Sequence, residues 1–275
     1  MKYMYPFLII IIISAATAYF AYKSFELKEQ ENNQSCLKYK NALDNVEEIK
    51  KLKKSLHRIV VKGEGRFLDS KNSTWTKIKS GGGTSFSIGD GFSIALTHAT
   101  DLPKIHKEFT KKGFICRKRE IRNPTYWIGE KQIKLIGKIG DISLFKKPWE
   151  DRYPFKLGED PQVGTVLTVI GDSMLNGNNI KIGIVSMMNL GRITKDKEII
   201  DAKHCFLHTT PVTPGDSGSP ALTFNNKKNE YVVTGIINGG HFRTYVQLYN
   251  FALRVSHVKK VIKQITKNYN TTENQ

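Results

Sequence analysis

The sequence predicts an all-β fold with a C-terminal helix and an N-terminal membrane or signal helix. Three observations predict it. From Arg58 onward, short apolar and alternating runs are separated by Gly, Asn and Asp turns, the pattern of antiparallel strands. Near the end helical spacing takes over, with Val258, Val261, Ile262 and Ile265 on one face. At the other end, Tyr5 to Tyr22 carries no charge and is mostly apolar or aromatic.

The elements follow in chain order. Segment 1–22 reads as an uncleaved signal anchor at the short end of a membrane span, because apolar and aromatic residues continue to Tyr22. A cleaved signal peptide is the alternative, with Ala16-Thr17-Ala18 resembling a peptidase site. Either way the rest of the chain is expected outside the cytoplasm. Segment 23–57 is polar and without Gly or Pro, and Leu43, Val46, Ile49, Leu52 and Leu56 fall at helical spacing. It reads as a helical stalk able to join copies of the chain, or as a packed or solvated linker helix. The globular domain is expected over 58–265, and 266–275 as a polar, flexible tail.

Within the domain, the stretch from Gly81 through Phe92 toward Leu96 reads as two short strands joined by the turn Gly89-Asp90-Gly91, a hairpin signal. His98 stands just past the second strand, in Leu96-Thr97-His98-Ala99. Asp141 directly precedes the strand Ile142–Phe145 and should be partly buried there. A buried carboxylate needs hydrogen-bond partners, and an imidazole N–H is a suitable one. Further on, Pro214-Gly215-Asp216-Ser217-Gly218-Ser219-Pro220 sets a serine between glycines. Those glycines open backbone conformations closed to other residues and allow close approach to a ligand. Each residue alone has an ordinary reading, as a strand-end histidine, a turn aspartate or a turn serine. In the order His98, Asp141, Ser217 they make the constellation of nucleophilic acyl transfer.

These residues resemble the trypsin-like serine proteases, and within them the HtrA-type branch, from Arg58 to Ile265. Gly81 to Thr100 resembles that branch's approach to the catalytic histidine. Gly164 to Gly171 with Gly183 to Ser186 resembles its second-barrel hairpin, Gly235 to Gly240 its substrate-binding strand, and Asn250 to Val255 its closing strand. The resemblance implies two six-stranded antiparallel β-barrels with the site in the cleft between them. It implies a serine endopeptidase acting on proteins or peptides through His98, Asp141 and Ser217, with Gly215 and Ser217 N–H groups as oxyanion hole. Quality control or processing of exported proteins is the expected setting. The implied substrate pocket lies between Pro211, Val212, Thr213 and Asn238, Gly239, Gly240, with Asn238 also near Asp141. Pro211 stands where trypsin has its pocket aspartate, so a preference for Lys or Arg is not expected. The bare Gly239 and Gly240 favour a small or medium apolar side chain. No cofactor and no metal are expected.

The chain departs from the branch in three ways. HtrA-type members usually have Asn before the nucleophile, where this chain has Asp216. Their peptide-binding PDZ domain is not expected after Gln275. The residue after His98 is Ala99 rather than the cysteine of digestive enzymes. One further possibility concerns Arg58-Ile59-Val60-Val61. In zymogen-type trypsins a new N-terminal Ile pairs with the Asp before the nucleophile, and Ile59 and Asp216 stand in those places. The favoured reading is a first barrel strand, because no Gly-Gly follows Ile59.

Net charge is +18, with a sequence pI near 9.7. Such a field favours acidic partners or anionic lipid, but a lysine-rich solvated surface is the preferred reading. No nucleic-acid motif stands out. Cys36, Cys116 and Cys205 show no zinc spacing, and the last two are expected in strands as buried apolar residues. The competing function classes are a non-catalytic binding protein on a protease fold and a membrane-tethered basic binding protein.

Overall fold

The computed structural model describes residues 46–273 apart from 69–73, 81, 111–112, 172–178, 189–191, 196–197, 202 and 244–245, together with Lys23. The expected segment 1–22, most of the expected stalk and Cys36 lie outside the described residues. Among the described residues no helix is long and apolar enough to cross a membrane.

Helix α1 (Val46–Lys53) opens the domain with Ile49 and Leu52 buried. Glu48 accepts the Tyr231 backbone N–H at 2.9 Å. This end of the expected stalk is therefore packed rather than solvated. The helical pattern stops short of Leu56, which begins strand β1 (Leu56–Phe67) two residues before the expected domain start.

The first barrel adds β3 (Thr84–Gly89), β4 (Phe92–Leu96), β6 (Gly113–Ile128), β7 (Lys131–Ile139) and β8 (Ile142–Lys146). Its antiparallel order is β1-β3-β4-β8-β7-β6, closed by β6 on β1. Two outer strands, β2 (Thr76–Ser80) and β5 (Ile105–Thr110), extend β1 and β6. The turn between β3 and β4 has positive φ at Asp90 (51°) and Gly91 (70°), as a two-residue type I′ connection requires. A single helical turn, α2 (Thr97–Thr100), follows β4.

The second barrel contains β9 (Val166–Gly171), β10 (Asn179–Met188), β13 (Cys205–His208), β14 (Pro220–Asn225), β15 (Glu230–Arg243) and β16 (Val246–Arg254). They close in the order β10-β13-β16-β15-β14-β9, all antiparallel. A small hairpin, β11 (Arg192–Lys195) with β12 (Glu198–Asp201), lies outside the barrel. Both expected six-stranded barrels are thus present.

Strand alternation explains why several of these runs are apolar on both faces. Ala95 and Phe145 fill the first barrel with Ile59, Val61, Tyr126 and Ile133. Their neighbours Ile94, Leu96, Ile142 and Leu144 point the other way, into a second core shared with Ile170, Leu222, Ile236 and Leu253 of the other barrel. Leu167, Val169, Ala221, Ile237 and Ala252 fill the second barrel. A strand buried on both faces reads as continuous apolar sequence, and here the shared core fixes one barrel against the other.

Helix α3 (Val255–Glu273) completes that core with Val255, Val258, Val261 and Ile265. It starts on Asp160, which accepts the Ser256 backbone N–H at 2.9 Å and hydroxyl at 2.7 Å. The tail expected from Thr266 is instead helical to Glu273. Thr266, Thr271 and Thr272 turn their hydroxyls back onto carbonyls four residues earlier, and Lys134 reaches the Tyr269 hydroxyl at 3.2 Å. Cys205 is buried as expected, but Cys116 is exposed. Cys116 lies where β6 has left β1 and pairs with β5, opposite Lys107.

His208 ends β13 at 2% exposure, and burial holds its imidazole down at about 4 against an ordinary 6.5. The folded ring is neutral, so as pH falls the unfolded chain takes up its proton first. This contribution is fully present above the unfolded value and is lost as pH falls toward the folded one. Stability should drop by about 2 kcal/mol between pH 7 and pH 5 from this residue. Urea denaturation of His208→Leu across the same interval should show a flatter profile, and an unchanged slope would contradict the assignment.

Candidate active site

His98 is carried on α2, which the fold ties to the start of β8. The Thr97 N–H donates to the Asp141 carbonyl at 3.0 Å, and Thr97 and Ser143 share a hydroxyl bond of 2.9 Å. Thr100 turns its hydroxyl onto the Leu96 carbonyl at 3.0 Å. The Asp141 carboxylate then accepts three bonds. Oδ1 takes the His98 backbone N–H at 2.9 Å, and Oδ2 takes His98 Nδ1 at 2.7 Å and Asn238 Nδ2 at 2.9 Å. An ionised carboxylate only accepts, so Nδ1 carries the proton and Nε2 is left as the acceptor. The Asp141 side chain is 30% exposed, partly buried as expected.

Ser217 comes from the other barrel, on the loop between β13 and β14. That loop is bonded to both barrels. The Thr84 N–H donates to Ser217 O at 3.0 Å and the Thr84 hydroxyl to Gly215 O at 2.8 Å, both from β3. Gly218 N donates to Ile237 O, and Ile237 N to Ser219 O, each at 2.9 Å on β15. Gly218 has φ 90°, and a Cβ there would lie 2.0 Å from Thr84 O, so no other residue fits the approach.

Among the described residues, neither the Gly215 N–H nor the Ser217 N–H donates to a protein acceptor. The Ser217 hydroxyl faces the Asn238 carbonyl at 3.5 Å, the outer limit of a hydrogen bond, and is not bonded to the His98 ring. Such nucleophile–base bonds are often open without substrate.

A cavity of about 190 Å³ opens on these groups, lined by His98, Val212, Thr213, Ser217, Asn238 and Gly239 among others. Of the residues expected around a substrate pocket, Val212, Thr213, Asn238, Gly239 and Gly240 line this cavity. Pro211 does not. Val212 is turned into the core at 3% exposure, which leaves its neighbour Pro211 facing outward.

Two residues escaped sequence reasoning, Thr84 and Lys181. Lys181 on β10 pairs with the buried Asp216 carboxylate. Its signal is parity: Val185 is wholly buried, and Lys181 lies four residues earlier on the same strand face, while Ile180 faces out at 43% exposure. In the uncleaved chain Ile59 has the place of the favoured first-strand reading. Ile59 is wholly buried within β1 and its N–H donates to Gly83 O at 3.2 Å.

No protein-family model matches the sequence, and none of the curated proteins does. Solved structures match by shape. The HtrA-type protease AlgW, a serine-to-alanine mutant with a decapeptide, is 13% identical, with 81% of this chain and 66% of AlgW covered at a TM-score of 0.60. An inactive form of Rv3671c from M. tuberculosis is 16% identical, with 82% and 93% covered at 0.52. The serine endoprotease from Yersinia pestis is 14% identical, with 80% and 65% covered at 0.50. The chain spans less than two thirds of AlgW and of the Yersinia protein. The likeness establishes the fold they share.

Gly218→Ala should destabilise the domain by about 2–5 kcal/mol, combining a left-handed φ forced on alanine with overlap against Thr84 O. Chemical denaturation measures it, and a loss within about 0.5 kcal/mol, typical of a surface change, would contradict this packing.

Proposed function

We propose that this chain is a serine endopeptidase that cleaves peptide bonds through an acyl-enzyme. One observation carries the reading. The imidazole of His98, bonded to Asp141 at 2.7 Å, and the Ser217 hydroxyl line one cavity, beside two N–H groups with no protein acceptor among the described residues.

In this reading Ser217 Oγ attacks the substrate carbonyl carbon as its proton passes to His98 Nε2. The carbonyl oxygen becomes an oxyanion facing the Gly215 and Ser217 N–H groups, each such donor being worth about 3 kcal/mol in the transition state. Asp141 holds the Nδ1–H tautomer and stabilises the imidazolium, and Asn238 keeps the Asp141 oxygen in place. The intermediate collapses, the C–N bond breaks, and His98 returns the proton to the leaving amine. Water, deprotonated by His98, then hydrolyses the ester on Ser217.

Specificity follows from the cavity walls. The glycines at 239 and 240 put no side chain into the cavity, and Val212 and Ile237, which belong mainly to the second barrel's core, add no polar group. Asp216 also lines the cavity, but its carboxylate is held by Lys181 and does not offer a site for a basic side chain. A small or medium apolar residue before the scissile bond fits best. The 1–22 segment supports action outside the cytoplasm, on exported proteins in quality control or processing. AlgW was solved with a bound peptide, consistent with a peptide substrate here.

A fluorophosphonate probe should label the wild-type chain at Ser217, and Ser217→Ala should remain folded without labelling. An unlabelled wild type, under conditions that label a control protease, sinks the proposal. A digest of a proteome-derived peptide library should show cleavage mostly after Ala, Val or Leu. Dominant cleavage after Lys or Arg would overturn the pocket assignment.

A further inference from the structure

The loop that presents the two N–H groups turns on a single buried carboxylate. The Asp216 side chain is 1% exposed. Its Oδ2 accepts the Thr213 backbone N–H at 2.6 Å and the Thr213 hydroxyl at 3.0 Å, while the Asp216 N–H donates to Thr213 O at 3.0 Å. These reciprocal bonds close the turn Thr213–Asp216 around Pro214 and Gly215. The carboxylate is the hub of the turn that carries Gly215, and it belongs to the residue between the two proposed donors. A buried carboxylate of this kind needs a counter-charge.

Lys181 provides one. Its ammonium, 14% exposed, forms an ion pair with Asp216 Oδ2 and reaches the Thr213 hydroxyl at 3.4 Å. β10 delivers it from below the loop, opposite Val169 of β9. Gly171 at the end of β9 leaves room for the carboxylate, since a Cβ there would stand 2.3 Å from Asp216 Oδ1.

We propose that Lys181 is a positioning residue for catalysis: its ammonium replaces the new N-terminus of zymogen-type trypsins and keeps the oxyanion-binding turn formed in the uncleaved chain. The proposal rests on the serine-endopeptidase reading. It accounts for Asp216 standing where HtrA-type members usually have Asn, since the acidic residue here comes with its own internal cation. It also leaves no task for cleavage between Arg58 and Ile59.

The test uses the full chain, p-nitrophenyl butyrate as substrate, and thermal melting as a separate measure of folding. In Lys181→Met the carboxylate loses its counter-charge. The turn should relax, and kcat should fall about 100-fold, the scale of a lost oxyanion donor, while KM stays within about threefold. The double variant Lys181→Met, Asp216→Asn removes both charges, and an amide needs no cation. It should recover kcat to within about tenfold of wild type. Should Lys181→Met fail to fold, the double variant decides: folded and active, it supports the proposal; unfolded, or folded without activity, it overturns it. A folded Lys181→Met with wild-type kcat overturns the role of Lys181 alone. A wild type that hydrolyses no ester overturns the peptidase reading and the role of Lys181 with it.

Discussion

Two hydrogen bonds from Thr84 join the barrels at the point where the proposed chemistry occurs. His98 and Asp141 belong to the first barrel, and Ser217 with its flanking N–H groups to the second. Without a fixed distance between barrels there is no site. The Thr84 N–H and hydroxyl hold Ser217 O and Gly215 O, so the loop is indexed to β3, two strands from the histidine's support on β8. Behind it, the shared core of Ile94, Leu96, Ile142, Leu144, Ile170, Leu222 and Leu253 makes that distance a packing constraint. Packed interiors give little without losing contacts throughout. Asn238 adds a third link, from the second barrel to the Asp141 carboxylate.

Charge is used inside this lysine-rich chain as well as on its surface. Lys181 is paired with buried Asp216 under the loop. Lys147, with no exposed side-chain surface, is paired with Asp151, which also binds His57 at 2.6 Å at the start of β1. The Asp151 carboxyl is held below its usual range despite its burial, by the hydrogen bonds from His57 and Lys147. Buried pairs of this kind contribute little net stability, yet breaking one is strongly destabilising. They therefore serve better as locators than as glue, one at each barrel. Some of the remaining positive charge lies over half-buried aromatic or acidic neighbours, as with Lys62 on Trp127 and Arg122 on Trp75 and Glu64.

Much of this was legible in the sequence wherever local chemistry decided the structure. Gly89-Asp90-Gly91 read as a tight hairpin because only such residues accept positive φ on both sides of the turn. The glycines around Ser217 read as a close backbone approach for the same reason, and Thr84 O proves to be what approaches. Asp141 before an alternating strand read as partly buried and in need of a donor. What stayed hidden depends on which surface a side chain finds after folding. Val46, Ile49 and Leu52 spell the same helix whether it stands free or lies on a barrel. The polar residues after Ile265 show no apolar stripe, yet their hydroxyls and Tyr269 extend the helix. Pro211 and Val212 differ by one position in the loop after β13, and only the second is buried. Lys181 is one of 43 Lys and Arg residues, and its strand parity with Val185 is the only local sign that it faces in.

The central claim is that two barrels bring a nucleophile, a base and an oxyanion site together for acyl transfer. Rapid mixing of the wild-type chain with an activated ester, followed by quenching and intact mass measurement, tests it most directly. The account predicts a transient mass increase of one acyl group per chain, located on Ser217 and released on standing as turnover continues. A chain that never gains the acyl group, or gains it on another residue with Ser217 untouched, would contradict it.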